Sequence, residues 1–78
     1  MIITIYTKSN CPNCVSAKQL LKSKGLEYEE QQLNSEQSMS MFVKDYPEAR
    51  QMPQIFIDGQ RVGGLAGLQA WLKWKEEQ

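Results

Sequence analysis

The chain has 78 residues, and its 9 Lys and Arg residues balance its 9 Asp and Glu residues. Zero net charge argues against a nucleic-acid-binding surface, which usually shows as a basic excess. A hydrophobic content of 41%, without any apolar run near the ~20 residues of a membrane span, predicts one soluble domain over residues 1–78.

The first part of the chain predicts a strand, a helix and a second strand. Residues 2–7 are β-branched or aromatic, and Ile2, Ile3 and Ile5 place apolar groups on both faces, as in a central strand. Pro12 fits the first turn of a helix, where its missing N–H does little harm, and Gly25 ends that helix. Residues 26–33 are then expected to form a strand that is polar enough to lie at a sheet edge.

A second helix follows, and its start and end are both marked in the sequence. Asn34 and Ser35 are capping residues, and Gln37 stands at the capping-box spacing from Asn34. Pro47 stops the helix. Its predicted inner stripe has the i, i+3, i+4, i+7 spacing of an amphipathic helix and consists of Met39, Phe42, Val43 and Tyr46.

The last part of the chain predicts a hairpin and a third helix. Residues 54–57 and 60–62 are the strands, and Asp58-Gly59 between them is a two-residue type I′ turn. The inner stripe of the third helix, which Gly63-Gly64 precedes, is expected to be Leu65, Leu68, Trp71, Leu72 and Lys75. The order β-α-β-α-β-β-α, with a right-handed parallel first crossover, predicts an α/β fold: a four-stranded mixed sheet with helices on both faces.

Two cysteines and no histidine limit the chemistry of the chain. Ser-His and Cys-His nucleophile pairs are excluded, and a zinc site, which needs four ligands, is not expected. A disulfide between Cys11 and Cys14 closes so short a loop that it contributes only roughly 2 kcal/mol of stability. Such a close pair suits electron exchange better than bracing of the fold.

The cysteine pair follows a predicted strand and begins a predicted helix, the setting of a redox dithiol in a cytosolic chain. Backbone N–H groups at a helix start favour an anion, so we expect Cys11 to be held as a thiolate. This effect contributes only about 0.3–1 kcal/mol, so Lys8 and direct hydrogen bonds are needed to bring the pKa far below the usual ~8.5. Cys14 lies one turn further in, within reach of a mixed disulfide on Cys11. Two ordinary core cysteines are the alternative interpretation.

Several blocks of the sequence resemble the short dithiol glutaredoxins of bacteria and their phages, which have a thioredoxin-like fold. The resemblance covers nearly the whole chain. It rests on residues 6–8 (Tyr-Thr-Lys), 11–14 (Cys-Pro-Asn-Cys), 17–18 (Ala-Lys), 20–21 (Leu-Leu), 24–25 (Lys-Gly), 53–59 (Pro-Gln-Ile-Phe-Ile-Asp-Gly) and 63–64 (Gly-Gly).

The resemblance implies a thiol–disulfide oxidoreductase that uses glutathione as reducing cosubstrate and binds no cofactor tightly. Cys11 is then the nucleophile and Cys14 the resolving thiol, while Lys8 supports the thiolate and meets the glycyl carboxylate of glutathione. The resemblance also implies a cis bond before Pro53, which turns the Met52 backbone toward Cys11, where a substrate pairs with it like an added strand. A plain strand-starting proline is the alternative.

Three positions depart from the family pattern. Asn13 replaces an aromatic residue between the cysteines, and Gln51-Met52 stands where Thr-Val is common. The acid that usually follows the double glycine, and that meets the γ-glutamyl ammonium, is missing. The contacts left to that end of glutathione are the backbone groups of Gly64, Leu65 and Ala66. Losing one charge-assisted contact costs ~1–2 kcal/mol, so we expect weaker glutathione binding than is typical.

The sequence leaves alternatives for the client protein, the electron source and the function. Ribonucleotide reductase is a common client of small glutaredoxins and is a possible client here. Thioredoxin reductase is the alternative electron source. A different function is that of a carrier of an iron–sulfur cluster, which two chains would share through glutathione, and Pro12 disfavours this function. We expect a cytoplasmic monomer, since no signal-peptide leader is visible. Arg50 and Arg61 could recruit carboxylates, although loop and hairpin arginines are usually solvated.

Overall fold

The computed structural model describes residues 1–49 and 51–77, so that Arg50 lies outside the described residues. All the predicted elements are present in the predicted order. They are β1 (Ile3–Thr7), α1 (Pro12–Ser23), β2 (Glu29–Gln32), α2 (Glu36–Asp45), β3 (Gln54–Ile57), β4 (Gln60–Gly63) and α3 (Leu65–Glu76). Among these described residues, no helix is long and apolar enough to cross a membrane.

The strands form one four-stranded mixed sheet in the order β2-β1-β3-β4, which confirms the predicted thioredoxin-like architecture. β1 pairs parallel with β2 and antiparallel with β3, and β4 returns antiparallel beside β3. The tight turn between β3 and β4 has the predicted conformation, since φ is +51° at Asp58 and +84° at Gly59. β1 and β3 are therefore the central strands, and β2 lies at an edge as expected.

The second strand is shorter than predicted, because the residues before it complete the end of α1. Gly25 adopts a φ of +69°, and the Leu26 N–H donates to the Leu21 carbonyl at 3.0 Å. This pairing satisfies a carbonyl that the helix leaves open at its C-terminus. Residues 26–28 are consequently a connection, and Leu26 packs against the core instead of joining the sheet.

Alternate residues of the central strands face two different hydrophobic clusters. Ile3 and Ile5 of β1 contact one cluster, whose other buried members come from β3, α1 and α3: Ala17, Leu21, Ile55, Ile57, Leu68 and Leu72. Tyr6 points to the opposite face and packs in a cluster that includes Phe42 of α2 and Phe56 of β3. The expected contribution of Ile2 to the core is wrong, because the strand begins after it and its side chain is 67% exposed.

Of the two predicted capping residues of α2, Ser35 is the N-cap, but the capping box differs from the predicted Asn34–Gln37 pair. Ser35 is the N-cap, and its hydroxyl accepts a hydrogen bond from the Ser38 N–H at 3.0 Å. The Ser38 hydroxyl accepts one from the Ser35 N–H at 3.3 Å, so these two serines form the capping box. Asn34 and Gln37 do not form it, because the Asn34 amide oxygen instead accepts from the Ser9 hydroxyl at 3.1 Å.

The helix stripes are confirmed at their centres and fail toward their ends. In α2, Phe42 is buried and Met39 and Val43 are half-buried, but Tyr46 is 38% exposed. In α3, the central Leu68 and Leu72 are buried and Leu65 and Trp71 are half-buried. The prediction that Lys75 continues this stripe is wrong, since Lys75 is exposed in the last turn of the helix.

Gly67 allows α3 to lie directly against β4. A Cβ atom at this position would stand 2.0 Å from the carbonyl oxygen of Val62, a backbone atom that no rotamer change can move aside. We expect Gly67→Ala to lower the free energy of unfolding by roughly 2 kcal/mol or more, despite a gain of about 1 kcal/mol in helix propensity. Urea unfolding measures this difference. Ala70→Ser adds one atom to the exposed side of α3 and should change little; an equal effect of both variants would contradict the close approach.

The carboxylate of Glu30 joins three elements of the fold. Its Oε2 accepts hydrogen bonds from the Thr7 hydroxyl of β1 at 2.7 Å and from the Lys18 ammonium of α1 at 3.0 Å. The pKa of Glu30 lies below its ordinary value, chiefly because of the Thr7 hydrogen bond; partial desolvation opposes this shift, and Lys18 and Gln32 add smaller contributions that lower the pKa further. The charged form of Glu30 therefore stabilises the fold.

This stabilisation is present above the ordinary carboxyl pKa of 4.5 and is lost as the pH falls through the lower value of the folded state. We expect Glu30→Gln to lower the free energy of unfolding by about 1 kcal/mol at neutral pH. The difference from the wild type should shrink as the pH falls below 4.5, which urea unfolding across a pH series measures. Glu29→Gln alters the exposed neighbour in β2 and is the matched control. A Glu30 effect that stays constant over the series would contradict this account.

Candidate active site

The two cysteines stand where the central strand β1 leads into α1. β1 has neighbours on both sides, and its last residue, Thr7, is buried. The chain then turns through Asn10, whose φ of +55° redirects it, and reaches Cys11 in an extended conformation. Cys11 is the N-cap of α1 and Pro12 occupies the first turn, as predicted. The strand end and the helix start thus fix the position of Cys11.

Cys11 and Cys14 form a disulfide, with their Cα atoms 5.2 Å apart. The Cys14 N–H donates a hydrogen bond to the Cys11 sulfur at 3.1 Å. Cys11 is 9% exposed and Cys14 only 2%, so the outer sulfur is the one that an incoming molecule reaches. The two sulfurs that the sequence singles out are therefore joined and differ in accessibility.

Two clefts open on either side of the disulfide. The first, which we call the Met52 cleft, has a volume of about 380 Å³ and is lined by Lys8, Asn10, Cys11, Pro12, Asn13, Gln51 and Met52. The second, which we call the Glu30 cleft, has a volume of about 460 Å³ and is lined by Lys8, Asn10, Cys11, Pro12, Cys14, Val15, Lys18, Glu30 and Gln32. Cys11 lines both, so the two clefts meet at this cysteine.

The Met52 cleft brings together half of the predicted binding residues. Lys8, Asn13, Gln51 and Met52 all line it with Cys11. The Met52 carbonyl oxygen lies 3.5 Å from the Cys11 sulfur, a contact and not a hydrogen bond, because a disulfide sulfur has no proton to donate. The Met52–Pro53 peptide bond is cis, as the resemblance implies. Met52 is buried at 6% exposure and packs in the same hydrophobic cluster as Phe42 and Phe56.

The other predicted binding residues lie apart from both clefts. Gly64, Leu65 and Ala66 are at the start of α3 and line neither cavity. Gly64 nevertheless packs closely on the loop before β3, since a Cβ atom there would lie 3.3 Å from the Pro53 carbonyl oxygen. No side chain caps the first turn of α3. The structure therefore places Gly64 next to Pro53, and Pro53, itself a predicted binding residue, lines neither cleft.

The cationic side chains near the site differ in their partners. Lys8 is exposed and forms no ion pair with another described residue, so its ammonium group is accessible to an anionic ligand. Arg61 instead donates to the Glu48 carboxylate at 3.0 Å and is held away from the disulfide. Arg50 lies outside the described residues.

The sequence analysis missed the Glu30 cleft. Its wall consists of Lys18 from α1 and Glu30 and Gln32 from β2, which the parallel crossover brings to one end of the sheet. The available signal was the right-handed β-α-β unit itself, because it places the last residues of β2 beside the first turns of α1. The polarity of the predicted strand over residues 26–33 indicates only a position at the sheet edge, and this does not reveal the cleft.

Comparison with known proteins agrees with this site. The Glutaredoxin family model matches residues 3–62. "Glutaredoxin 1" of Rickettsia conorii is 38% identical over 68 residues, covering 85% of this chain and 67% of that protein. "Glutaredoxin 3" of Escherichia coli K12 is 38% identical over 68 residues, covering 87% and 82%. The crystal structure of glutaredoxin 1 from Francisella tularensis superposes with a TM-score of 0.84 at 28% identity, covering 97% of this chain and 96% of that one.

The hydrogen bond to the Cys11 sulfur predicts how this cysteine reacts once the disulfide is reduced. A backbone N–H that points at the sulfur favours the thiolate, so the pKa of the Cys11 thiol should lie below the ordinary ~8.5. The Cys14→Ser variant tests this cleanly, because it leaves one thiol and keeps the N–H donor. In the folded variant, we expect the rate at which iodoacetamide alkylates Cys11 to reach half of its maximum well below about pH 8. After unfolding in urea, the half-maximal rate should be reached near about pH 8.5. Coincident folded and unfolded profiles would contradict the role of this contact.

Proposed function

The chain belongs to the glutaredoxin family, and we propose that it reduces protein disulfides and glutathione mixed disulfides with electrons from glutathione. Glutaredoxins are thiol–disulfide oxidoreductases, and this chain has the cysteine pair of the dithiol form. The observation that carries the proposal is the Cys11–Cys14 disulfide at the start of α1, with the Met52 backbone beside it.

Reduction of a protein disulfide uses both sulfurs in turn. The Cys11 thiolate attacks one sulfur of the client, forms a mixed disulfide and releases the client's other sulfur as a thiolate. Cys14, deprotonated, then attacks the Cys11 sulfur, which frees the second client thiolate and leaves the internal disulfide seen in the structure. The client gains two electrons, which the two cysteines lose.

Two glutathione molecules restore the dithiol. The first thiolate attacks the Cys11 sulfur and releases Cys14, and the second attacks the glutathione sulfur now attached to Cys11. Oxidised glutathione leaves, and Cys11 departs as a thiolate. The Cys14 N–H stabilises that thiolate through the hydrogen bond seen at 3.1 Å, which supports its role as a leaving group.

Reduction of a glutathione mixed disulfide needs only Cys11. Its thiolate attacks the glutathione sulfur and releases the client thiol, and a second glutathione then removes the first from Cys11 as oxidised glutathione. Cys14 takes no part in either step. This difference between the two reactions separates the roles that we propose for the two cysteines.

We assign glutathione to the Met52 cleft. Lys8, which is exposed at its rim, is the proposed partner of the glycyl carboxylate, and the Met52 backbone is the proposed partner of the peptide portion. Asn13 and Gln51 line the same cleft. The γ-glutamyl end extends beyond this cleft in our proposal, toward the backbone of Gly64, Leu65 and Ala66, where no acidic side chain stands. Binding weaker than is usual for the family follows from that loss.

The partners of the reaction are proposals of the same kind. We propose client proteins with accessible disulfides, ribonucleotide reductase among them, because the dithiol is the form that can reduce a protein disulfide. We propose the cytoplasm as the compartment, since a reductant of this kind needs the thiol pool that is maintained there. We propose a monomer as the working form.

The Cys14→Ser variant separates the two reactions. It should keep the reduction of glutathione mixed disulfides, because Cys11 alone performs that exchange. It should lose the reduction of a protein disulfide, because no internal thiol resolves the mixed intermediate. A coupled assay that follows NADPH consumption with each substrate measures both. Cys11→Ser should abolish both activities; residual turnover in that variant would contradict the assignment of the nucleophile.

The same assay identifies the electron source. One arm supplies glutathione and glutathione reductase, and the other supplies thioredoxin reductase in place of both. We expect turnover in the glutathione arm. Activity confined to the thioredoxin reductase arm would overturn the proposed reductant and leave the dithiol chemistry in place.

A further inference from the structure

Gln54 is a buried polar residue at the edge of the site. It is the first residue of β3, follows Pro53 directly and is only 6% exposed. Its Nε2 donates a hydrogen bond to the backbone carbonyl of Gln51 at 2.7 Å. Its Oε1 accepts a longer one from the Arg61 guanidinium at 3.4 Å, and Arg61 also pairs with Glu48. Each end of the buried amide therefore has a partner.

The two partners explain why a glutamine stands here. A backbone carbonyl only accepts hydrogen bonds, and a guanidinium only donates them. A side chain between them must therefore offer one donor and one acceptor, as an amide does. A carboxylate of the same shape would face the Gln51 carbonyl with a second acceptor, and an apolar side chain would leave that carbonyl without this partner.

The hydrogen bond from Gln54 restrains the segment that forms one wall of the Met52 cleft. Gln51 and Met52 precede β3, which begins only at Gln54, so they are not held by the hydrogen bonds of the sheet. Both line the cleft, and the Met52 carbonyl is the atom that contacts the Cys11 sulfur at 3.5 Å. Gln54 belongs to β3, and Arg61, which donates to the Gln54 side chain, belongs to the neighbouring strand β4. The side chain that restrains Gln51 is therefore itself held by two strands of the sheet.

We propose that Gln54 is a positioning residue for substrate binding, which holds the Gln51–Met52 backbone where an extended peptide disulfide pairs with it. Gln54 touches neither sulfur and acts through the backbone of Gln51. This inference rests on the proposed pairing of substrate with the Met52 backbone, but not on glutathione as the electron source. It predicts an effect on substrate affinity and little effect on the exchange at Cys11.

A single-turnover experiment tests this without a reductant. Pre-reduced protein is mixed with increasing concentrations of a short peptide that carries a glutathione mixed disulfide, and release of the peptide thiol is followed. We expect Gln54→Glu to raise the half-saturating peptide concentration about 5–30-fold and to leave the limiting rate within about twofold. Gln60→Glu makes the same chemical change at an exposed position of the same hairpin and should match the wild type.

Two further measurements distinguish positioning from a loss of fold. Arg61→Ala keeps the bond between Gln54 and Gln51, so its half-saturating concentration should rise by only about 2–5-fold. The carboxyl introduced by Gln54→Glu becomes a donor only when it is protonated, so its defect should shrink as the pH falls from about pH 7 to about pH 4, below the ordinary carboxyl pKa of ~4.3, although the facing Arg61 guanidinium favours the charged form. The defect of Gln54→Leu should not shrink.

The outcome that overturns the proposal is specific. An unchanged half-saturating concentration in both Gln54→Glu and Gln54→Leu, or a fall in the limiting rate alone, would show that Gln54 does not position the substrate. A half-saturating concentration in Gln54→Glu that stays equally high across the pH range would show that the hydrogen bond donated to Gln51 does not determine substrate affinity. Failure of the wild type to accept electrons from glutathione would overturn the proposed reductant only, since the single-turnover reaction does not use it.

Discussion

The hydrogen bond from the Cys14 N–H to the Cys11 sulfur is the interaction on which the site depends. At 3.1 Å it makes the two sulfurs unequal, since the outer one accepts a backbone donor and the inner one lies buried beneath it. It exists because Cys11 is the N-cap of α1, where backbone N–H groups have no helical partner. The helix start thus supplies part of the chemistry as well as the position of the cysteines.

The remainder of the fold holds the two walls of the Met52 cleft in place, one at the start of α1 and the other at Met52. Both come from central strands, since β1 leads to Cys11 and β3 follows the Met52–Pro53 bond. Hydrophobic clusters on both faces of the sheet fix these strands, and so the two walls of the Met52 cleft have fixed positions. In a chain of 78 residues, few elements are left that do not support the site.

Local patterns predicted most of this structure, and contacts distant in sequence explain what they did not predict. The turn at Asp58-Gly59 and the helix start at Pro12 follow from the conformations those residues prefer, and both were predicted. The capping box of α2 was assigned to the wrong pair because Asn34 meets Ser9, 25 residues away, a contact that no local rule reveals. The Glu30 cleft and the restraint of Gln51 by Gln54 likewise depend on side chains that only the folded sheet brings together. The restraint could not be predicted before the packing was known, whereas the predicted β-α-β crossover already indicated which residues meet at the cleft.

Met52 contacts the Cys11 sulfur through its main chain, at the carbonyl oxygen. Peptide groups are the same in every protein, so a surface of this kind does not distinguish one amino-acid sequence from another. A protein that presents it to its substrates is suited to serve a diverse set of clients, and selectivity among them is left to the side chains that line the same cleft, such as Lys8 and Asn13. Changing those residues is therefore the direct route to a reductase with a narrower choice of clients.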